Sequence, residues 1–274
     1  RPDARIDWIG TALCTFGLGG AVFALIEQPN LGWGSPVIWA TFAAGILLFA
    51  LFLWRQRSAT APMLPLDLFR IRNFWTGNIA TLFVYAALSL NGFVVTVYLQ
   101  QEAGFSATLA GLASLPTTVM MVLLSASMGS LSDRFGPRIF MTVGPLVMAG
   151  GSLLLLTVTD PVNYWLQLLP GLILFGLGLA ITVSPLTAAI LGAVDPARSG
   201  IASAVNNAIA RIAGLLIIAT LATIVAGSLD LDGFRRAAIV TAGLMVAGGI
   251  VSFLGIRNSD VAPVEKRAEP ATGA

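Results

Sequence analysis

The sequence predicts an all-α integral membrane protein with eight transmembrane helices. Three observations carry this expectation. Of 274 residues, 57% are hydrophobic and only 10% charged, where a soluble domain carries about 25% charged residues. Burial in a core does not absorb that surplus, since even a large domain buries only about 75% of its surface; lipid is the solvent that does. Charge-free runs recur at the length that spans a hydrocarbon layer of about 30 Å, roughly 20 residues of helix. The basic residues cluster in alternate connections between those runs.

The first run is Trp8 to Ile26, between Asp7 and Glu27. The second covers Val37 to Trp54. The third lies between Arg72 and Glu102, the fourth between Glu102 and Asp133, and the fifth covers Ile139 to Thr159. The sixth falls between Asp160 and Asp195. The seventh follows Arg198 and is interrupted only by Arg211. The eighth covers Ala237 to Ile256. Barrel strands would be about 10 residues of alternating polarity, which these runs are not. Gly and Pro inside them are tolerated in membrane helices.

Twelve of the fifteen basic residues fall on one side: Arg1, Arg5, Arg55, Arg57, Arg70, Arg72, Arg134, Arg138, Arg198, Arg257, Lys266 and Arg267. Arg235 and Arg236 fall on the other. The positive-inside rule then places both ends of this chain in the cytoplasm of a multi-pass cell-membrane protein.

Spacing divides the chain unevenly. Residues 1–54 form a two-helix segment and 55–73 a cytoplasmic linker. Residues 74–257 form a six-helix unit, and 258–274 a polar, disordered tail. The linker stretch Pro62 to Arg70 mixes apolar and charged residues, which suits the membrane interface. The chain opens on Arg1-Pro2-Asp3 without an initiator Met and reads as a piece of a larger protein.

Composition also excludes chemistry. There is no histidine and a single cysteine, Cys14. That removes the commonest metal ligand, the Ser-His and Cys-His nucleophile pairs and any internal disulfide. Cys14 reads as a small buried hydrophobe. A net charge of +2 is too small to suggest nucleic acid. Neither an enzyme, a metal site nor a nucleic-acid partner is expected.

The most specific motif is Gly129-Ser-Leu-Ser-Asp133-Arg134-Phe-Gly136-Pro-Arg138, between the fourth and fifth spans. Gly129 permits close helix approach. Asp133 lies beside the N-terminus of the next helix, whose dipole favours a carboxylate. Gly136 permits a tight turn. Arg134 and Arg138 can pair with Asp133 or with other helix ends. An ordinary charged loop obeying the positive-inside bias is the plainer reading.

This G-x-x-x-D-R-x-G-x-R pattern, between the second and third helices of a six-helix unit, resembles the cytoplasmic loop of the major facilitator superfamily. Two helices, a linker and six helices resemble helices seven to fourteen of that superfamily's fourteen-helix drug:proton antiporter branch, the EmrB/QacA-like proteins. Pro65-Leu-Asp-Leu-Phe-Arg-Ile-Arg-Asn-Phe74 and Ser199-Gly-Ile-Ala-Ser-Ala-Val-Asn-Asn207 through Arg211-Ile-Ala-Gly214 resemble it too. Relatives often carry a Gly pair where this chain has Ala213-Gly214.

The resemblance implies a C-terminal transporter half whose partners are the lipid bilayer, an N-terminal six-helix half and a small-molecule substrate. It implies no cofactor, with the proton gradient as energy source, and efflux of amphipathic compounds by alternating access. A permease for a metabolite or nutrient is the alternative within the class, and a non-transporting scaffold the alternative outside it. The Asp133 loop (Gly129, Asp133, Arg134, Gly136, Arg138) would act as a conformational latch.

The remaining candidates come from polar residues within spans. Ser203, Asn207 and Arg211 share one helix face at i, i+4, i+8, and Asn206 lies beside them. An intramembrane Arg faces a cavity or a partner, so Arg211 either lines a pathway or is pinned to backbone carbonyls. Asn91 and Tyr98 share a face of span three and fit either substrate contact or helix–helix hydrogen bonding. Gly176, Gly178 and Pro185 in span six suit a gating helix or a packing face. No carboxylate lies at mid-depth in spans three to eight, so the acid that couples transport to protons is expected in the N-terminal half. Glu27 is the one local candidate, against its reading as a solvated helix end.

Overall fold

The computed structural model describes residues 7–59 and 62–258. Arg1, Arg5 and the tail from residue 259 onward, including Lys266 and Arg267, lie outside the described residues. Among the described residues eight helices are long and apolar enough to cross a membrane, and no strand occurs. They are α1 (Trp8–Leu31), α2 (Pro36–Ser58), α3 (Arg72–Gln101), α4 (Ala107–Phe135), α5 (Pro137–Thr157), α6 (Tyr164–Gly192), α7 (Pro196–Ala219) and α8 (Leu231–Gly255). Each answers to one expected span.

The helices outrun the apolar stretches where a cap or a basic residue extends them. Asp230 accepts the Gly233 amide at 2.8 Å, so α8 starts before Arg235 and Arg236 and carries both in its first turns. α2 likewise continues through Arg55 and Arg57. Asp7 caps α1 through the Gly10 amide at 2.9 Å and binds Arg55 Nη2 at 3.0 Å. That ion pair ties the start of α1 to the end of α2. α4 is broken at Ser114. The carbonyl of Ala113 at the break accepts the Tyr164 hydroxyl at 2.7 Å, which satisfies a backbone group that lipid cannot.

Order in space differs from order in the chain. α3 packs on α7 and α8, α8 on α5, α5 on α6, and α6 on α4, while α3 also touches α6. α4 and α7 thus flank the unit and keep most of their residues unburied. α1 and α2 pack mainly on each other, and α1 touches α7.

Lipid is as apolar as leucine, so it gives these helices no hydrophobic reason to associate; close backbone packing supplies the attraction instead. Glycines provide it between α5 and α6. A Cβ on Gly151 would sit 2.6 Å from the Phe175 nitrogen, and one on Gly178 2.6 Å from the Met148 nitrogen. Between α1 and α2, a Cβ on Gly17 would sit 2.7 Å from the Phe49 nitrogen. Large side chains such as Trp8, Phe16, Trp54, Leu123 and Leu254 point outward, as a lipid-facing surface requires. Cys14 is half-buried on α1 rather than enclosed.

One end of the unit carries Arg72, Arg134, Arg138 and Arg257, and is called the basic end below. Here arginines bond the last carbonyls of α8, which a helix leaves without partners. Arg72 Nε donates to Gly255 O at 2.9 Å and Arg138 Nε to Phe253 O at 2.7 Å. The linker is anchored to this end rather than merely lying along an interface. Leu68, in the 3₁₀ turn Leu66–Arg70, is buried against Phe74 and Ile190. Asp67 Oδ2 pairs with Arg198 Nη1 at 2.6 Å.

Candidate functional site

α3 and α7 position the site. Their contact is polar at one level and open at the next. Asn206 on α7 donates to Asn78 Oδ1 at 3.1 Å and to Thr81 Oγ1 at 2.8 Å, both on α3. Asn78 and Thr81 in turn donate to the carbonyls of Phe74 and Gly77 at 2.9 Å each. Asn206 is therefore consumed in holding two helices together.

One residue on, the chain does something different. Asn207 and Arg211 line a cavity of about 560 Å³ whose α3 wall includes Tyr85, Leu88 and Ser89. Ser203 is half-buried and not in the lining. Gly214 lets the helices close above Arg211: a Cβ there would sit 2.7 Å from Ser89 Oγ. This is the second glycine of the pair position, the one retained beside Ala213. Arg211 follows Ser199, the first residue of α7's α-helical stretch, by twelve positions, about 18 Å along the axis. Among the described residues it makes no hydrogen bond and no ion pair. The backbone pin is therefore not formed there.

Asn91 and Tyr98 sit elsewhere. Both are buried, at 7% and 2% exposure. The Tyr98 ring packs on Phe234 of α8 at 4.5 Å between centroids, and Asn91 lies near Thr241 of α8. Both belong to the α3–α8 interface. Gly176 faces α4, where a Cβ would meet Thr117 O at 2.7 Å, and Gly178 faces α5. Pro185 is buried, and α6 runs helical through it. These three therefore sit in packing faces.

In the Asp133 loop, Gly136 has φ +88°, the left-handed geometry that glycine accepts freely. A Cβ on Gly129 would sit 2.6 Å from Ser184 Oγ on α6, which makes the close approach expected of it. Arg138 pairs not with Asp133 but with the end of α8. Its guanidinium stacks 4.6 Å from the Phe253 ring centroid, and its amide donates to Asn258 Oδ1 at 3.1 Å. Asp133 and Arg134 are exposed, and Asp133 makes no ion pair within the described residues.

The carboxylates of α3 to α8 lie at helix ends and connections. Glu27 near the end of α1 accepts from Asn30 Nδ2 at 3.2 Å. Outside the spans, the Arg198 hydrogen bond holds Asp67 below the usual carboxylate range, and the Arg55 hydrogen bond does the same to Asp7. Among the described residues no cluster of acids and Cys is placed to hold a metal ion.

Sequence reasoning named Asn207 and Arg211 but passed over Tyr85 and Ser89 as partners. Their i, i+4 spacing on α3 matches the spacing on α7 and was the available signal.

The described helices thus form a membrane-spanning arrangement with a polar cavity between α3 and α7. Comparison with known proteins makes the assignment: the Major Facilitator Superfamily profile matches residues 2–218 and, in a second alignment, 77–273. The chain belongs to that superfamily, a family of multi-pass membrane transporters and not of enzymes. It is 33% identical over 224 residues to the methylenomycin A resistance protein of Bacillus subtilis (strain 168), covering 81% of this chain and 48% of that protein. It is 29% identical over 249 residues to the methylenomycin A resistance protein of Streptomyces coelicolor, covering 90% and 52%. A third relative is the multidrug resistance protein Stp of Mycobacterium tuberculosis, 33% identical over 234 residues, covering 82% and 42%. The chain spans about half the length of these relatives.

Proposed function

We propose that this chain is the C-terminal part of a secondary active transporter of the fourteen-helix drug:proton antiporter branch. The whole protein exports small amphipathic compounds by alternating access. The observation that carries this reading is the α3–α7 cavity. Its Arg211, about 18 Å along α7, has no partner among the described residues, and a lone intramembrane cation is retained where a pathway uses it. The named resistance proteins among the relatives support efflux as the direction.

In this reading α1 and α2 are an accessory pair and α3 to α8 one transporter half, with the basic end in the cytoplasm of a cell-membrane protein. Asp133 and Arg134 are the exposed charges of the latch loop, and their partners come from the N-terminal half. That half also supplies the proton-coupling acid, since the acids of α3 to α8 sit at helix ends.

Fluorescent-dye efflux from cells expressing the intact gene, with and without a protonophore, tests the reading. Expression lowers dye retention and the protonophore restores it. Efflux that ignores the protonophore removes proton exchange, and no efflux across a panel of amphipathic dyes removes the export reading.

A further inference from the structure

Four side chains in the α3–α7 cavity share one property. Tyr85, Ser89, Asn207 and Arg211 line it, and none makes a side-chain hydrogen bond among the described residues. Their neighbours on the same two helices, Asn78, Thr81 and Asn206, are all bonded. Asn207 and Arg211 are exposed on the cavity wall and Tyr85 and Ser89 are half-buried, so all four are accessible to a ligand with polar groups to pair them. The open set is rich in donors: a guanidinium fork, an amide and two hydroxyls.

We infer that this cavity binds the anionic end of its substrate, a carboxylate carried on an apolar body. The inference rests on the transport reading above. Arg211 is the only formal charge in the lining. The acids of α3 and α7 lie far along their axes: Glu102 is seventeen residues beyond Tyr85, about 26 Å, and Asp195 sixteen before Arg211, about 24 Å. α6 carries no acid between its ends. On α8, Asp230 and Asp232 sit at the first turn. On α1, which touches α7, Glu27 bonds Asn30 and makes no ion pair with Arg211. A carboxylate accepts from a guanidinium through two parallel bonds, and the amide and hydroxyls can fill its remaining lone pairs. Leu88, Leu215 and Ile218 complete the lining and suit the apolar body. Among the described residues an ammonium in the same place would face Arg211 with no acid in the lining to offset the repulsion.

The test uses the intact gene product in nanodiscs and three probes of one shape: 1-naphthylacetate, neutral 1-naphthylacetamide and cationic 1-naphthylmethylammonium. Titration calorimetry should rank them anion, neutral, cation. Arg211→Gln should weaken the anion by about 10- to 100-fold, to the level of the amide. Arg211→Lys, which keeps the charge, should hold the ranking and shows that any loss in the Gln variant is not misfolding. Glu27→Gln should leave the ranking unchanged. Equal or tighter binding of the ammonium overturns the inference, because another part of the protein then neutralises Arg211. So does a ranking unmoved by Arg211→Gln, or an anion preference that appears only with Glu27→Gln. Dye efflux with no anion preference leaves the transport reading standing and removes this one; anion preference without efflux of any probe does the reverse.

Discussion

The Asn206 amide reaches Thr81 Oγ1 at 2.8 Å, while Asn207, the next residue, lines the cavity with Arg211. Successive helix residues point about 100° apart, so adjacent asparagines of one type serve separate ends. One fixes the distance between α3 and α7, and the other faces the space that this distance leaves.

Replacing Asn206 by Ala should therefore cost stability first. It removes two interhelical bonds, each worth about 0.6 kcal/mol in membrane proteins, so the melting temperature in detergent should fall by about 2–4 °C. Asn207→Ala should leave melting unchanged and alter export. Equal melting losses from both variants would contradict the division of labour.

At the α5–α6 seam the size of a side chain decides. Gly151→Leu places atoms where the Phe175 backbone already is, and overpacking of this kind costs about 1–3 kcal/mol or more. Gly150, next to it, meets only Leu174 Cδ2 at 3.6 Å. Gly150→Ala should accordingly fold as well as the wild type. Yield of monodisperse protein on size-exclusion chromatography separates the two, and a normal Gly151→Leu profile would show the seam to be looser than described.

Asp133→Asn should slow export several-fold without changing the amount of folded protein, because Asp133 is exposed and makes no ion pair within the described residues. Arg138→Ala should instead lower melting, through loss of the Phe253 carbonyl bond and ring contact. Wild-type export by Asp133→Asn would remove the latch.

The Asp7–Arg55 clasp gives a pH dependence. Arg55 holds Asp7 below the ordinary carboxylate value of about 4. A depressed folded-state value means the contribution is complete above that ordinary value and is lost as pH falls through the lower, folded one. Asp7→Asn should therefore melt below the wild type at pH 7, with the gap closing in acid. A gap that is independent of pH would show that Asp7 acts only as a neutral helix cap.

The spans were legible because twenty apolar residues in succession have few other uses, and the Gly129–Arg138 loop because it gathers glycines and charges between two apolar runs. Boundaries were less so. Arg235 and Arg236 precede the eighth apolar run without marking where its helix starts, and the Asp230 cap sets where α8 begins. Within the spans, polar type alone did not reveal role. Tyr98 and Tyr85 lie on the same helix, yet Tyr98 is closed over by Phe234 and Tyr85 opens on Arg211. The residues that decide this lie on α7 and α8, and no periodicity within α3 encodes them.

The passage of α6 between its two predecessors has a bearing on how the chain is made. α4 and α5 touch each other far less than each touches α6. Synthesised from the N-terminus, the pair enters the bilayer before the helix that separates them. Gly144 and Gly151 of α5, and Thr117 of α4, meanwhile have only lipid to touch. Assembly of this half is therefore a wedging step. Until α6 arrives, the hairpin is held only by its own turn and by the packing of Ala110 and Ala113 of α4 on α3.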